Sequence, residues 1–185
     1  MNKPNMNPSR RPRLATIWLD GCSGCHMSIL DMDERLLEVA KLADLVYSPL
    51  VDVKEFPHDV DIVLVEGSVS SEEDLHKVKI VRERSKFLVA LGDCAVTGNV
   101  PSMRNPYGPK EALERAFIEN TAIQQIIPTE EIPALLDKVV PIHDVVKVDL
   151  HIPGCPPPAY AIWSVVTALV KGKTVTSSEL TRFGE

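Results

Sequence analysis

The residues with the most chemistry in them are four cysteines. Cys22-Ser23-Gly24-Cys25 is a close pair, while Cys94 and Cys155 stand alone much further along the chain. Each sits in a small-residue setting: Asp20-Gly21-Cys22, Gly92-Asp93-Cys94 and Pro153-Gly154-Cys155. Soft thiolate sulfur selects zinc or an iron–sulfur cluster. Structural zinc commonly takes two close pairs, whereas this spacing offers one pair and two single ligands. Gly21, Gly24, Gly92 and Gly154 let main-chain N–H groups approach sulfur, and such bonds help set a cluster's reduction potential. Pro156-Pro157-Pro158 stiffens the last ligand loop and removes its N–H donors. The favoured reading is one [4Fe–4S] cluster held by Cys22, Cys25, Cys94 and Cys155.

Three other chemistries compete. Cys22-Ser23-Gly24-Cys25-His26 has the C-x-x-C-H form of c-type haem attachment, which leaves Cys94 and Cys155 without a purpose. The same pair reads as a thioredoxin-like dithiol, with the same omission. Four buried structural thiols are the plainest alternative, since free cysteine is often a small core hydrophobe. Glycine-flanked turn positions for all four argue against it.

Elements that bring these residues together follow from the apolar pattern. Residues 14–19 read as a first strand, ending at Asp20-Gly21, and residues 27–43 as a helix with apolar positions at helical spacing. Residues 45–51 give a second strand, which Pro49 places at an edge or ends early. Residues 60–65, V-D-I-V-L-V, form a strand that stops at Glu66-Gly67; Ser70-x-x-Glu73 then has the form of a capping box opening a helix. Residues 87–91 are the next strand and 95–107 a long loop. Residues 110–120 and 130–139 read as short helices, 145–152 as the last strand and 160–170 as the last helix.

This alternation predicts an α/β fold with a mostly parallel sheet and helices on both faces, and by analogy a single flavodoxin-like domain is expected. In such a sheet the strand C-termini share one edge, where ligands bind. The cysteines, each just after a strand, should therefore converge there. The domain spans residues 14–172, with residues 1–13 as a disordered tail and 173–185 as a peripheral segment.

Composition narrows the function classes. The 185 residues carry 20 Lys and Arg against 26 Asp and Glu, a net charge of −6, with 5% aromatic residues. That balance argues against a nucleic-acid or anionic-membrane surface. Arg10-Arg11 after Ser9 is reminiscent of an export signal, but the apolar run after it stops at Asp20 and enters the cysteine motif. No export signal and no transmembrane segment are read, and a cytoplasmic setting is expected.

The motifs together resemble the small subunits of nickel–iron hydrogenases. The matching stretches are Gly21-Cys22-Ser23-Gly24-Cys25-His26-Met27-Ser28-Ile29-Leu30-Asp31, Val65-Glu66-Gly67-Ser68-Val69, Gly92-Asp93-Cys94-Ala95-Val96-Thr97-Gly98 and Pro153-Gly154-Cys155-Pro156-Pro157. Their spacing covers residues 13–172. The resemblance implies that the four cysteines ligate a proximal [4Fe–4S] cluster beside a large subunit carrying the nickel–iron site. It points to the short subunits of cytoplasmic NAD-reducing enzymes, whose partners include a diaphorase module with flavin and iron–sulfur clusters. On this reading the chain is an electron-transfer subunit of a hydrogen:NAD+ oxidoreductase. It takes no part in hydrogen cleavage alone, and no catalytic residue is assigned. With four cysteines, one all-cysteine cluster is the limit. A complex I-like, quinone-linked subunit is the homologous alternative, though that pattern carries two adjacent cysteines. A stand-alone thiol or iron–sulfur redox sensor is the alternative from another class. FMN is a minor expectation, because the glycine-rich loops carry cysteine rather than a Ser/Thr phosphate cradle.

Two neighbours of the cysteines have two readings each. His26 is either a donor close to the cluster or partner, or an exposed or capping histidine. Glu66 either relays protons or bonds the partner, or accepts turn N–H groups. His151 reads as a core or interface histidine; His58, His76 and His143 receive no role.

Overall fold

The computed structural model describes residues 3–175 and residue 181. Its centre is a five-stranded sheet. In chain order the elements are β1 (Arg13–Trp18), α1 (Gly24–Leu30), α2 (Arg35–Leu42), β2 (Asp44–Tyr47), β3 (Val60–Glu66), β4 (Val69–Ser71), α3 (Glu72–Arg84), β5 (Ser85–Leu91), α4 (Asp93–Thr97), α5 (Pro109–Glu114), β6 (Leu135–Val140), β7 (Leu150–Ile152) and α6 (Ala159–Val170). The strand order is β2-β1-β3-β5-β7, and all four pairings are parallel. With the small β4–β6 pair set aside, this is the flavodoxin-like order expected by analogy.

Strand periodicity sends alternate residues to opposite faces. Leu14, Ile62, Leu64, Val89 and Leu91 meet Ile162, Val165, Val166 and Leu169 of α6 in one core. Ala15, Ile17, Val63, Val65, Leu88 and Ala90 meet Val78 and Val81 of α3 in the other. All seven residues of β3 are buried, as suits the middle of a sheet covered on both faces. α6 buries Ala161, Ile162, Val165, Val166 and Leu169, a stripe at helical spacing.

The structure corrects several element assignments. The expected single helix over residues 27–43 is two helices, parted at a turn in which Asp33 adopts φ 50°. Residues 130–139 are not a helix. Leu135–Val140 instead pairs antiparallel with β4, and Glu72 N donates to Ala134 O at 2.9 Å. The expected loop over 95–107 holds most of α4 and a 3-10 turn, Val100–Arg104. The capping box lies one residue on: the Ser71 hydroxyl accepts from Asp74 N, and Asp74 Oδ2 from Ser71 N. The last strand is confined to Leu150–Ile152, because Asp149 turns its carboxylate to Leu88 N and Arg82. Helix α5 continues in a π-helical turn, Arg115–Glu119.

Residues 3–12 carry no helix or strand and lie across the end of the sheet opposite the cysteines. Arg10 Nη1 pairs with the buried Asp61 Oδ2 at 2.6 Å, Lys86 Nζ with its Oδ1 at 2.8 Å, and Arg11 with Asp44 at 3.2 Å. Most of the segment expected to be peripheral, residues 176–180 and 182–185, lies outside the described residues. Among the described residues no helix is long and apolar enough to cross a membrane.

Candidate metal centre

Three of the loops that leave the C-terminal edge of the sheet carry the cysteines. Cys22 and Cys25 follow β1, Cys94 follows β5 and Cys155 follows β7; Gly67-Ser68 follows β3. Main-chain bonds tie the loops to one another. Ser68 N donates to Asp20 O at 2.7 Å, Gly92 N to Ile152 O at 2.8 Å and Asp93 N to Gly154 O at 2.9 Å. Gly154 N in turn donates to Asp93 Oδ1 at 2.7 Å. Ser28 of α1 donates from its hydroxyl to Pro157 O at 2.6 Å, joining the first cysteine loop to the proline run.

Two glycines are required by these close approaches. A Cβ on Gly92 would lie 2.2 Å from Cys25 Sγ, and its φ of 82° suits no ordinary side chain. A Cβ on Gly67 would meet Asp20 O at 2.7 Å, with φ 91°.

Cys25 is the buried member of the set at 8% exposure; Cys94 is half-buried, and Cys22 and Cys155 are exposed. Burial, then the charges of Glu66, Cys94, Cys22 and Cys155, pushes the Cys25 thiol far up. Burial, Cys155, Cys22 and Glu66 push Cys94 up to about 11, against a lowering hydrogen bond from the Val100 main chain. Cys25 and Cys94 therefore feel the charges of the neighbouring cysteines. Ionising them together is unfavourable unless a cationic group sits among them, which is how thiolate metal sites couple deprotonation to binding. The donor set, four sulfurs on laced loops, fits an iron–sulfur cluster or zinc. Among the described residues no three His, Cys, Asp or Glu side chains gather tightly enough for a single metal ion.

Of the two histidine readings, neither describes His26 fully. It is buried; its Nδ1 makes a short hydrogen bond to Glu66 Oε2, and its Nε2 lies 3.0 Å from Thr16 Oγ1. Glu66, 2% exposed, accepts from Cys25 N at 3.2 Å and His26 N at 2.8 Å. Thus the carboxylate at the end of β3 caps the start of α1 and fixes the turn that presents Cys25. His151 lies edge-on to His143, with ring centroids 5.7 Å apart, and its burial, then His143, holds its pKa down.

Two residues at the site escaped the sequence. Asp93 binds Gly154 N, and its only signal was an acidic residue directly before Cys94. Asn99 directs Nδ2 at Cys155 Sγ, 3.5 Å away; the Gly98-Asn99 pair just after the Cys94 turn was the available hint.

Beside this edge a cavity of about 570 Å³ opens between α1, α2 and β2. Its walls are mostly aliphatic, including Leu14, Leu36, Val39 and Leu64, and no lysine or arginine lines it. It offers no cationic partner to a flavin phosphate.

Fold and cysteine loops together define the class, and comparison with known proteins agrees. Residues 22–169 match the family described as NADH ubiquinone oxidoreductase, 20 Kd subunit, and the chain belongs to that family. It is 43% identical to the delta subunit of the NAD-reducing hydrogenase HoxS of Cupriavidus necator, over 90% of this chain and 82% of that protein. It is 42% identical to a vhu subunit of the F420-non-reducing hydrogenase of Methanocaldococcus jannaschii, over 87% of this chain but only 57% of that protein. The chain thus spans little more than half the length of that relative. Among solved structures it resembles a chain of an NAD+-reducing [NiFe]-hydrogenase, with TM-score 0.88 and 38% identity over 94% of this chain and 99% of that one. The resemblance to nickel–iron hydrogenase small subunits is borne out.

Proposed function

We propose that this chain is the electron-transfer subunit of a cytoplasmic nickel–iron hydrogenase, holding one [4Fe–4S] cluster through Cys22, Cys25, Cys94 and Cys155. The observation that carries the reading is the meeting of the three cysteine-bearing loops at one sheet edge, stitched by Asp93, Gly154 and Ser28. When bound, the cluster supplies a one-electron relay between a partner's nickel–iron site and a NAD-linked diaphorase. The chain's own residues do the holding. Glu66 sets the α1 turn that presents Cys25, Gly92 leaves room for its sulfur, and the Asp93–Gly154 bonds fix Cys94 relative to Cys155. Similarity to the HoxS delta subunit and to the NAD+-reducing enzyme supports NAD as the final acceptor. The comparable identity to proteins of F420-non-reducing hydrogenases favours, as a second reading, another acceptor for the same cluster.

Anaerobically purified protein should contain about four irons and about four acid-labile sulfides per chain. Zinc without sulfide overturns the cluster. Cys94→Ser should abolish hydrogen-dependent NAD reduction by the assembled complex, and wild-type activity would reject that ligand. Hydrogen-dependent dye reduction without NAD reduction in the wild type would select the second reading.

A further inference from the structure

The turn after Cys94 supplies hydrogen bonds to two different cysteines. The Val100 main-chain N–H donates to Cys94, and the Asn99 side-chain amide donates from Nδ2 to Cys155 Sγ at 3.5 Å. Cys155 needs such a donor from elsewhere. The three residues after it, Pro156, Pro157 and Pro158, have no N–H to offer. Gly154 N, just before it, is already committed to Asp93 Oδ1.

Asn99 is also held in an uncommon conformation. Its φ is 34° and its ψ −127°, well away from the regions that ordinary residues prefer. The surrounding turn fixes it there: Gly98 N donates to Cys94 O at 2.9 Å, and the Ser102 hydroxyl donates to Asn99 O at 2.7 Å. Residues kept in sparsely populated backbone conformations cluster at functional sites, where the surrounding structure over-determines them. Here the conformation turns an amide donor towards an exposed sulfur.

We infer that Asn99 sets the reduction potential of the cluster through an N–H···S bond to Cys155. The inference rests on the cluster reading above. It makes Asn99 a positioning residue that acts through Cys155, with no bond made or broken. Hydrogen bonds to ligand sulfur spread its negative charge and favour the reduced, more negative state of a cluster. Removing this one should therefore make the cluster harder to reduce.

The test is an EPR-monitored redox titration of the purified, cluster-loaded protein, as it exists with its co-purifying subunits. Asn99→Gly removes the amide and tolerates φ 34° better than asparagine does. Asn99→Asp keeps the shape, replaces the donor by an acceptor and adds a negative charge. At a fixed potential the reduced-to-oxidised ratio should fall about tenfold in Asn99→Gly, a shift of about 59 mV to the negative for one electron. Asn99→Asp should move further in the same direction. A role confined to the shape of the turn predicts no shift in Asn99→Gly, because glycine preserves that shape. A wild-type potential in Asn99→Gly overturns the inference, even where the added charge of Asn99→Asp moves the potential. Absence of any cluster signal from the wild type overturns the cluster reading itself, and the role of Asn99 with it.

Discussion

At the scale of single residues, the sheet has two ends with opposite chemistry. At the cysteine edge, burial and neighbouring charges push the Cys25 and Cys94 thiols up. At the other edge, Asp61 has the reverse problem. Burial alone raises its pKa, but hydrogen bonds from Lys86, the Arg13 N–H and Arg10 outweigh that and hold the carboxyl below its ordinary range. A folded pKa below the unfolded value adds stability that is complete above the unfolded pKa, about 3.9, and lost as pH falls through the folded one. Asp61→Asn should therefore unfold at lower urea concentration than wild type at neutral pH, through loss of these charge-assisted hydrogen bonds. The gap should close in acid, below about pH 4. A gap unchanged down to about pH 2 would show that Asp61 acts through packing alone. The four cysteines were legible in the sequence as candidates because residue type and spacing alone pick them out. Asp93 and Asn99 were not, since a carboxylate or amide acquires such a role only once a turn aims it across space.

At the scale of elements, the strands were the most legible part. β1, β3 and β5 are apolar runs bounded by glycine or aspartate, and in each case the structure moved the ends by no more than two residues. What failed was local sequence reading where tertiary pairing decides. Residues 135–140 have enough leucine and valine for either element; the open edge of β4 captured them as a strand. The break between α1 and α2 was hidden because Leu36 and Val39 keep the apolar rhythm of Ile29 and Leu30 across it, while Asp33 quietly reverses φ. The capping box was recognisable but offset by one, because Ser70 and Ser71 are both serines and both bond Asp74. Ser71→Ala should cost about 1 kcal/mol in urea unfolding, and Ser70→Ala clearly less. Equal losses would show that the two hydroxyls share the cap.

At the scale of the whole molecule, the cysteine edge is open to solvent. Cys22 and Cys155 are exposed, and Met27 and Tyr160 beside their loops are half or more exposed. Anaerobic affinity purification should bring down a nickel-containing partner together with brown colour. A colourless monomer whose Cys22 and Cys25 titrate as a disulfide would favour the thiol-sensor reading instead. The alternation of strand and helix patterns foretold the mostly parallel α/β sheet, but no single chain's sequence distinguishes apolar residues kept for a partner from those of its own core.

The Arg10–Asp61 clasp has a practical side. It fastens residues 3–12 to the end of the sheet away from the cysteines. β3 alone is seven residues long, roughly 23 Å at the usual strand rise. A fluorophore or a surface linker attached at Lys3 would therefore stand a full strand's length from the sulfur edge, and the protein could be mounted with its cysteine loops facing outward.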